Sequence, residues 1–196
     1  MPPSDPPPRL PQLEPDQFTD EARDMFARWK TGPFKDAETN PPLKTFAHHP
    51  VLADLFSQLN LHLLLNSSLP VRQRQIAIMR TAWVCGARYM WSSHLRTSQS
   101  FGLEPELFKP LQAGADDPYF SDFERIIIRA TEELVDNRLI SDASWAALMV
   151  EWTNQQMLDF MFTVGTYVMV AGVMRSTGVQ RQPDLIELAE LYGAPE

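Results

Sequence analysis

Residues 72–83 read RQRQIAIMRTAW, and residues 85–94 read CGARYMWSSH after a single intervening valine. In the first segment Ile76, Met79 and Ala82 recur at the spacing of one helix face, with Trp83 beside them. Glycine is a poor helix former, so Gly86 predicts a break before a second helix over residues 88–100. The stretch therefore predicts two helices joined at a glycine.

Helix signals continue on both sides of this pair, and strand signals are few. Upstream, helices are predicted to begin near Thr19 and at Pro50. Downstream, residues 121–124 (SDFE) and 153–156 (TNQQ) have the pattern of capping boxes that open helices. Every periodic segment is helical, and the sequence predicts an all-α, antiparallel helix bundle.

The length of 196 residues fits one domain with a well-buried core. Residues 1–15 hold seven of the 17 prolines and no apolar run, which predicts an extended proline-rich arm rather than a signal peptide. Residues 16–196 form the single predicted helical domain. The one cysteine, Cys85, cannot form an internal disulfide, and this favours a reducing, cytoplasmic location.

Charge and hydropathy limit the partners. A net charge of -8 and a pI near 5.0 leave no basic footprint, so neither nucleic acid nor an anionic membrane surface is expected as a partner. Residues 157–174 are apolar on all sides and predict a core or interface helix. Gly165 and Gly172 would allow close approach of another helix, which predicts a homo-oligomer.

Side chains suited to proton transfer cluster between residues 72 and 96. His94 is a candidate acid/base and Tyr89 a candidate oxyanion donor. Arg80 could hold a carboxylate, with Trp83 and Trp91 as aromatic walls. Each residue alone also has an ordinary structural reading, because buried histidines and tryptophans commonly serve packing.

The quoted helix pair resembles the signature of the carboxymuconolactone decarboxylase-like family, part of the alkyl hydroperoxidase D-like superfamily. Residues 47–50 (AHHP), 141–145 (SDASW) and 164–179 resemble further segments of that family, in the same order. The resemblance spans nearly the whole chain after the proline arm. It implies the alkyl hydroperoxidase D-like helical fold and strengthens the candidacy of His94.

One branch of the family uses a Cys-x-x-Cys-x-x-x-His helix with an upstream glutamate. Counted back from His94, the resemblance places the two cysteine positions at Ala87 and Met90, and the glutamate position at Gln75. Only the histidine is retained. Because this chemistry needs a thiolate and a resolving thiol, the chain is not expected to run a disulfide-cycling peroxidase.

The other branch, the lactone decarboxylases, works without thiols, metal or organic cofactor. Its members usually have Glu-Tyr-Glu-Trp where this chain has Arg88, Tyr89, Met90 and Trp91. These departures remove negative charge from one small region, and Gln75 replaces a further glutamate. We therefore expect a pocket that prefers an anionic or aromatic small molecule more than those of the relatives do.

The leading hypothesis is a cofactor-free lyase or isomerase acting on a small cyclic acid, lactone or phenolic carboxylate. His94 would transfer the proton, Tyr89 would stabilise the oxyanion, and Arg80 or Arg88 would anchor the carboxylate. The expected substrate-binding set is Arg80, Arg88, Trp83, Trp91, Gln75 and Met90, with no metal ligand. The resemblance also implies a trimer or hexamer. Two alternatives stay open: a thiol-dependent antioxidant protein using Cys85, and a non-catalytic ligand-binding or assembly protein.

Overall fold

The computed structural model describes Asp5, residues 7–29 and residues 37–196, and this part of the chain contains helices and no strands. The predicted end of the first helix at residues 30–33 lies outside the described residues. The helices are α1 (Asp20–Trp29), α2 (Pro41–Phe46), α3 (Pro50–Leu61), α4 (Val71–Val84), α5 (Arg88–Ser100), α6 (Phe108–Ala113), α7 (Asp122–Asn137), α8 (Asp142–Leu148), α9 (Asn154–Thr177) and α10 (Pro183–Tyr192). Short 3₁₀ turns cover Pro15–Gln17, Ala37–Thr39 and Pro105–Leu107, and a π turn covers His62–Asn66.

Helix α4 is the centre of the bundle, with α5, α7 and α9 packed around it. Four consecutive residues, Ile76 to Met79, are fully buried, which requires neighbours on every side. The sequence predicted a core or interface helix over residues 157–174. In the single chain α9 is half-buried against α4 and α7, so the interface role stays a prediction, and α4 takes the central position.

Most predicted helix boundaries are confirmed. The capping boxes open α7 and α9, with Ser121 and Thr153 accepting backbone hydrogen bonds. Gly86 has φ of +62°, a conformation that L side chains rarely adopt, and it separates α4 from α5 as predicted. The short helices α2 and α6 were not predicted, because each has six residues and shows too few turns for a periodic pattern.

The described part of the proline-rich arm lies on the domain of its own chain. The backbone amides of Arg9 and Leu10 both donate to the carbonyl of Thr177, at the carboxyl end of α9. Asp5 accepts hydrogen bonds from the backbone and the guanidinium of Arg181, with the side-chain contact at 2.9 Å. These bonds supply partners that a proline-rich segment cannot make within itself.

Helix α9 presents an apolar face to solvent. By length and composition alone it could cross a membrane, and half of its most apolar 18-residue window is buried inside the molecule. Phe162 and Met169 are more than half exposed. A side chain added at Gly165 or Gly172 would meet no atom within 4 Å. Contiguous exposed apolar surface of this kind is uncommon on a monomer.

Asp159 of α9 holds the start of α4 in place. Its carboxylate accepts hydrogen bonds from the backbone amide and hydroxyl of Ser68, at 2.6 and 2.7 Å, and from Ser67 at 3.2 Å. Burial opposes the charged form, but these hydrogen bonds outweigh it and lower the pKa of Asp159. Since that pKa lies below the unfolded value, its contribution to stability is present above about pH 4 and is lost as pH falls further.

Replacing Asp159 with asparagine should therefore lower the free energy of unfolding at pH 7 by about 1–3 kcal/mol, the usual loss for charged hydrogen bonds. The deficit should shrink towards pH 3, where the native carboxylate also becomes protonated. Urea unfolding at both pH values measures this. Asp116→Asn is the matched control, since that side chain is 97% exposed. Equal losses in the two variants would contradict the assignment.

Candidate active site

A cavity of about 150 Å³ opens beside His94, between α3, α5 and α9 and the start of α2. Its walls mix aromatic, apolar and uncharged polar side chains with one arginine, Arg96. The lining residues are Asn40, Pro42, Leu43, Phe56, Ser57, Asn60, Leu64, Tyr89, Met90, Ser93, His94, Arg96, Thr97, Tyr167, Val170 and Met174. A cavity of this volume accommodates about one six-membered ring.

No carboxylate lies among the described lining residues, although the chain carries a net charge of -8. Arg96 donates to Asp184 at 2.6 Å, and both side chains are about half exposed at the surface. A pair so exposed is weakly held, and Arg96 can turn towards a bound anion at little cost. The described lining of the cavity therefore contains one cationic side chain and no anionic one.

His94 is held by a hydrogen bond to α4. Its Nδ1 lies 3.0 Å from Oε1 of Gln75, and the hydroxyl of Ser98 donates to the same oxygen at 3.1 Å. With the Gln75 amide in this orientation its oxygen faces the ring and accepts, so Nδ1 carries the proton and Nε2 keeps its lone pair. The ring also packs edge-on against Tyr167, with centroids 5.3 Å apart.

The surroundings of His94 favour the neutral imidazole. Burial and the nearby charge of Arg74 lower the pKa of His94 to about 3. At neutral pH the ring is therefore uncharged, with the proton on Nδ1 and an unprotonated Nε2. The described part of the chain offers no hydrogen-bond partner to Nε2, and His94 lines the cavity. Nε2 therefore presents its lone pair to the cavity and can accept a proton, although the lowered pKa makes it a weak base.

Two tyrosines flank the histidine. Tyr89 is buried and lines the cavity, and burial raises its pKa well above the ordinary range. Tyr167 is also buried, and its pKa is raised in the same way. Both hydroxyls therefore stay protonated at neutral pH and are able to donate a hydrogen bond to an oxyanion.

The structure places the predicted arginine anchors elsewhere. Arg80 lies in the second half of α4. It contacts Glu132 at 2.7 Å and donates to the carbonyl oxygens of Leu111 and Gln112. Arg88 donates to the carbonyl of Pro195 and lines a separate cavity of about 260 Å³ on the other side of Tyr89. Neither arginine lines the His94 cavity, which corrects the predicted role of both.

The two tryptophans serve packing rather than the cavity. Trp83 and Trp91 meet edge to face, with ring centroids 4.9 Å apart. Trp91 is fully buried, and its Nε1 donates to the carbonyl of Gly193 at 2.7 Å. Met90 does line the cavity, whereas Gln75 lies behind His94 and reaches it by a hydrogen bond. The aromatic side chains that do line the cavity are Phe56, Tyr89 and Tyr167.

Cys85 lies at the carboxyl end of α4, outside the His94 cavity. Its side chain is partly buried, and burial raises the pKa of the thiol. A raised pKa reduces the thiolate fraction on which thiol reactivity depends. Across Asp5, residues 7–29 and residues 37–196, no group of three or more His, Cys, Asp or Glu side chains is placed to hold a metal ion.

Sequence reasoning missed Tyr167 and Arg96. Arg96 was detectable, because residues 89, 93 and 96 follow one another at helical spacing and share a face of α5 with the cavity. Tyr167 was not detectable, since only the packing of α9 against α4 and α5 brings it to the histidine. Arg74, in the polar first turn of α4, is also buried.

No protein-family model and no curated protein matches the sequence at a significant level. Several solved structures share its fold. A peroxidase-related protein from Ralstonia eutropha with an AhpD core has a TM-score of 0.76 at 15% identity, over 97% of this chain and 99% of its own. A peroxidase-related protein from Silicibacter has a TM-score of 0.73 at 17% identity, over 100% and 96%.

The third structure is the debrominase Bmp8 in complex with 2,3,4-tribromopyrrole. It has a TM-score of 0.73 at 11% identity, and the alignment covers 96% of this chain and 99% of Bmp8. Nearly complete coverage of both chains confirms the predicted all-α fold, while the low identities leave function to be argued from the site. The chain therefore has the fold of the AhpD-like, peroxidase-related proteins.

Proposed function

We propose that this protein is an enzyme, a lyase or isomerase, that transfers a proton on a small cyclic carboxylate bound beside His94. The observation that carries the proposal is the state of His94: a neutral imidazole with Nδ1 fixed by Gln75 and Nε2 available at an enclosed cavity. The chemistry uses side chains of the chain itself and requires no thiol.

In this reaction Arg96 leaves its surface partner Asp184 and holds the carboxylate of the substrate. Nε2 of His94 takes a proton from carbon next to a carbonyl group, and the electron pair moves to the carbonyl oxygen. The hydroxyl of Tyr89 donates a hydrogen bond to this developing oxyanion. Return of the proton to another carbon completes an isomerisation.

The same groups serve a decarboxylation. When the bond to carbon dioxide breaks, its electron pair stays on the substrate as a carbanion or enolate, which Tyr89 stabilises. Nε2 of His94 then takes a proton from water and passes it to that carbon. The fold neighbour Bmp8 is named as a debrominase and holds a small flat ring, tribromopyrrole. This supports an enzyme with a site for one planar ring, and the volume of about 150 Å³ agrees with that size.

Deuterium incorporation tests the proposal whichever product is formed. A panel of small cyclic keto acids, unsaturated lactone acids and hydroxybenzoates, labelled with ¹³C at the carboxylate, is incubated with the protein in D₂O. NMR should show deuterium at carbon or release of labelled carbon dioxide for at least one compound, and none with His94→Gln. Binding of these compounds without any exchange would instead favour a binding protein.

The thiol-dependent alternative is tested by Cys85→Ser. We expect proton-transfer activity to be unchanged within about twofold, because the thiol lies outside the cavity and its pKa is raised. Hydroperoxide turnover should be negligible in both proteins, as measured by peroxide consumption with a thiol reductant. A robust peroxidase rate that disappears in Cys85→Ser would reverse the ranking of the two functions.

A further inference from the structure

A second cavity, of about 260 Å³, lies on the other side of Tyr89 from the His94 cavity. It is bounded by the start of α5 and the carboxyl end of α9. Tyr89, Met90 and Met174 line both cavities, so the two share a wall. The proposed reaction uses no group that lines the larger cavity alone, and the purpose of this space is a separate question.

Two arginine side chains reach the cavity from different helices. The Nε of Arg88, the first residue of α5, donates to the carbonyl of Pro195 at 3.1 Å. Arg175 of α9 donates from Nη1 to the carbonyl of Cys85 at 2.6 Å. A Cβ added at Gly86 would lie 3.4 Å from Cζ of Arg175, so this guanidinium packs directly on the turn between α4 and α5. Each guanidinium is thus held by a carbonyl, and among the described residues its other N–H groups meet no acceptor.

The two positive charges are not neutralised by the chain. Within the described residues, no carboxylate lies within 4.0 Å of either guanidinium. Asp5 also lines the cavity, but it pairs with Arg181 at 2.9 Å, and the two side chains are only 11% and 2% exposed. Glu196, the other acidic residue of the lining, is exposed to solvent. Arg88 also lies at the positive end of the α5 dipole, in a first turn that has no acidic residue.

The other walls of the cavity are mostly apolar. Ala87, Met90 and Val179 are almost fully buried, and Met174 completes this side. Methionine side chains are flexible and adapt to the shape of a bound molecule. A concave, largely apolar surface with a few convergent polar groups is the usual form of a small-molecule site.

We propose that this cavity binds a small organic anion, with its oxyanion group on Arg88 and Arg175 and its apolar body against Met90, Met174 and Val179. Carboxylates and phosphates both accept paired hydrogen bonds from guanidinium groups, and this is the chemistry that the site recognises. The anion supplies the negative charge that the two arginines lack. The inference does not rest on the proposed function, because His94 lines the other cavity.

The first experiment locates the anion on the unaltered protein by methyl NMR. Phenyl phosphate and benzoate are the two oxyanion probes, and benzyl alcohol is the neutral control of similar shape. The methyl signals of Val179, which lines the 260 Å³ cavity, should shift with at least one oxyanion and not with benzyl alcohol. The probe with the larger affinity identifies the oxyanion as a phosphate or a carboxylate. Shifts confined to Val170, which lines the His94 cavity, would overturn the proposal, as would equal shifts with benzyl alcohol.

The second experiment removes the charges one at a time. Arg88→Met and Arg175→Met should each weaken binding of the tighter probe about tenfold in calorimetry, the loss expected for a charge-assisted hydrogen-bond partner. Arg129→Met is the matched control, because it removes the same charge from a side chain that is 55% exposed and does not line the cavity. Arg175 is also exposed, so its variant should fold even where Arg88→Met does not. Unchanged affinity in folded Arg175→Met, or an equal loss in Arg129→Met, would overturn the proposal.

The variant His94→Gln separates this site from the proposed active site. It should abolish deuterium exchange and leave the affinity of the tighter probe and the shift of Val179 unchanged. Binding that is lost in His94→Gln and retained in both arginine variants would place the anion beside His94 and remove the second site. Binding at Val179 without exchange on any substrate would leave this site standing and remove the enzyme.

Discussion

Replacing His94 with alanine should lower turnover by about a hundredfold or more, the usual contribution of a positioned acid or base. His94→Gln should not restore activity. An amide can fill the space and keep a hydrogen bond to Gln75, but it cannot take up a proton at neutral pH. Steady-state kinetics on a substrate found by deuterium exchange measures both variants. Restored turnover in His94→Gln would contradict a proton-transfer role.

The pH dependence of kcat/KM gives a second readout on the same residue. An ordinary histidine base loses activity below about pH 6.5, because it becomes protonated. Burial and Arg74 lower the pKa of His94 to about 3, so kcat/KM should show no fall near pH 6.5 and should decline only towards about pH 3 to 4. A clear inflection near pH 6.5 in the unaltered protein would mean that another group is titrating.

The free energy of unfolding should also depend on the protonation of His94. The folded pKa of His94 lies below the unfolded value, so the unfolded chain binds the proton more readily as pH falls. Stability is therefore lost progressively from about pH 6.5 downwards. His94→Gln should remove that part of the acid sensitivity, in agreement with the kinetic profile.

The local features of the fold were predictable from the sequence, and the arrangement in space was not. Capping boxes at Ser121 and Thr153 and the break at Gly86 are decided by neighbouring residues, and all three are found. Which helix occupies the centre of the bundle depends on how the other helices cover each of its faces. Helix α4, with its polar beginning, is central, whereas the more apolar α9 is only half-buried.

The candidate site was predictable only for residues that helical spacing places on the same face of one helix. Tyr89, Met90 and His94 lie on one face of α5, and all three line the same cavity. Arg80 carries the same charge as Arg74 and lies six residues further along α4, yet it bonds to Glu132 and loop carbonyls. The sequence cannot show that a glutamate 52 residues away pairs with Arg80, so it could not show that Arg80 lies away from the cavity.

The exposed face of α9 has the largest consequence for assembly. Phe162 and Met169 are 58% and 52% exposed, and large apolar residues of α3 are exposed as well, with Val51, Leu52 and Leu55 at 59–60%. Gly165 and Gly172 leave open space between the side chains of α9. We expect a second copy to cover this face, because such a surface is costly in water and the glycines allow close helix approach. A trimer or hexamer remains the expected assembly.

Met169→Asp should dissociate that assembly into folded monomers of 22.4 kDa, as measured by light scattering and circular dichroism. Met169 is a better position than Val168, which packs partly against the core, so that an aspartate at 168 would also unfold the chain. Val150→Asp is the matched control: Val150 is 83% exposed after α8, and a charge there should leave the assembly intact. Dissociation in Met169→Asp alone would place α9 in the interface, because the two variants add the same charge to exposed apolar positions. If the unaltered protein already scatters as a stable monomer, the apolar face of α9 has no second copy to cover it, and the expected homo-oligomer is wrong.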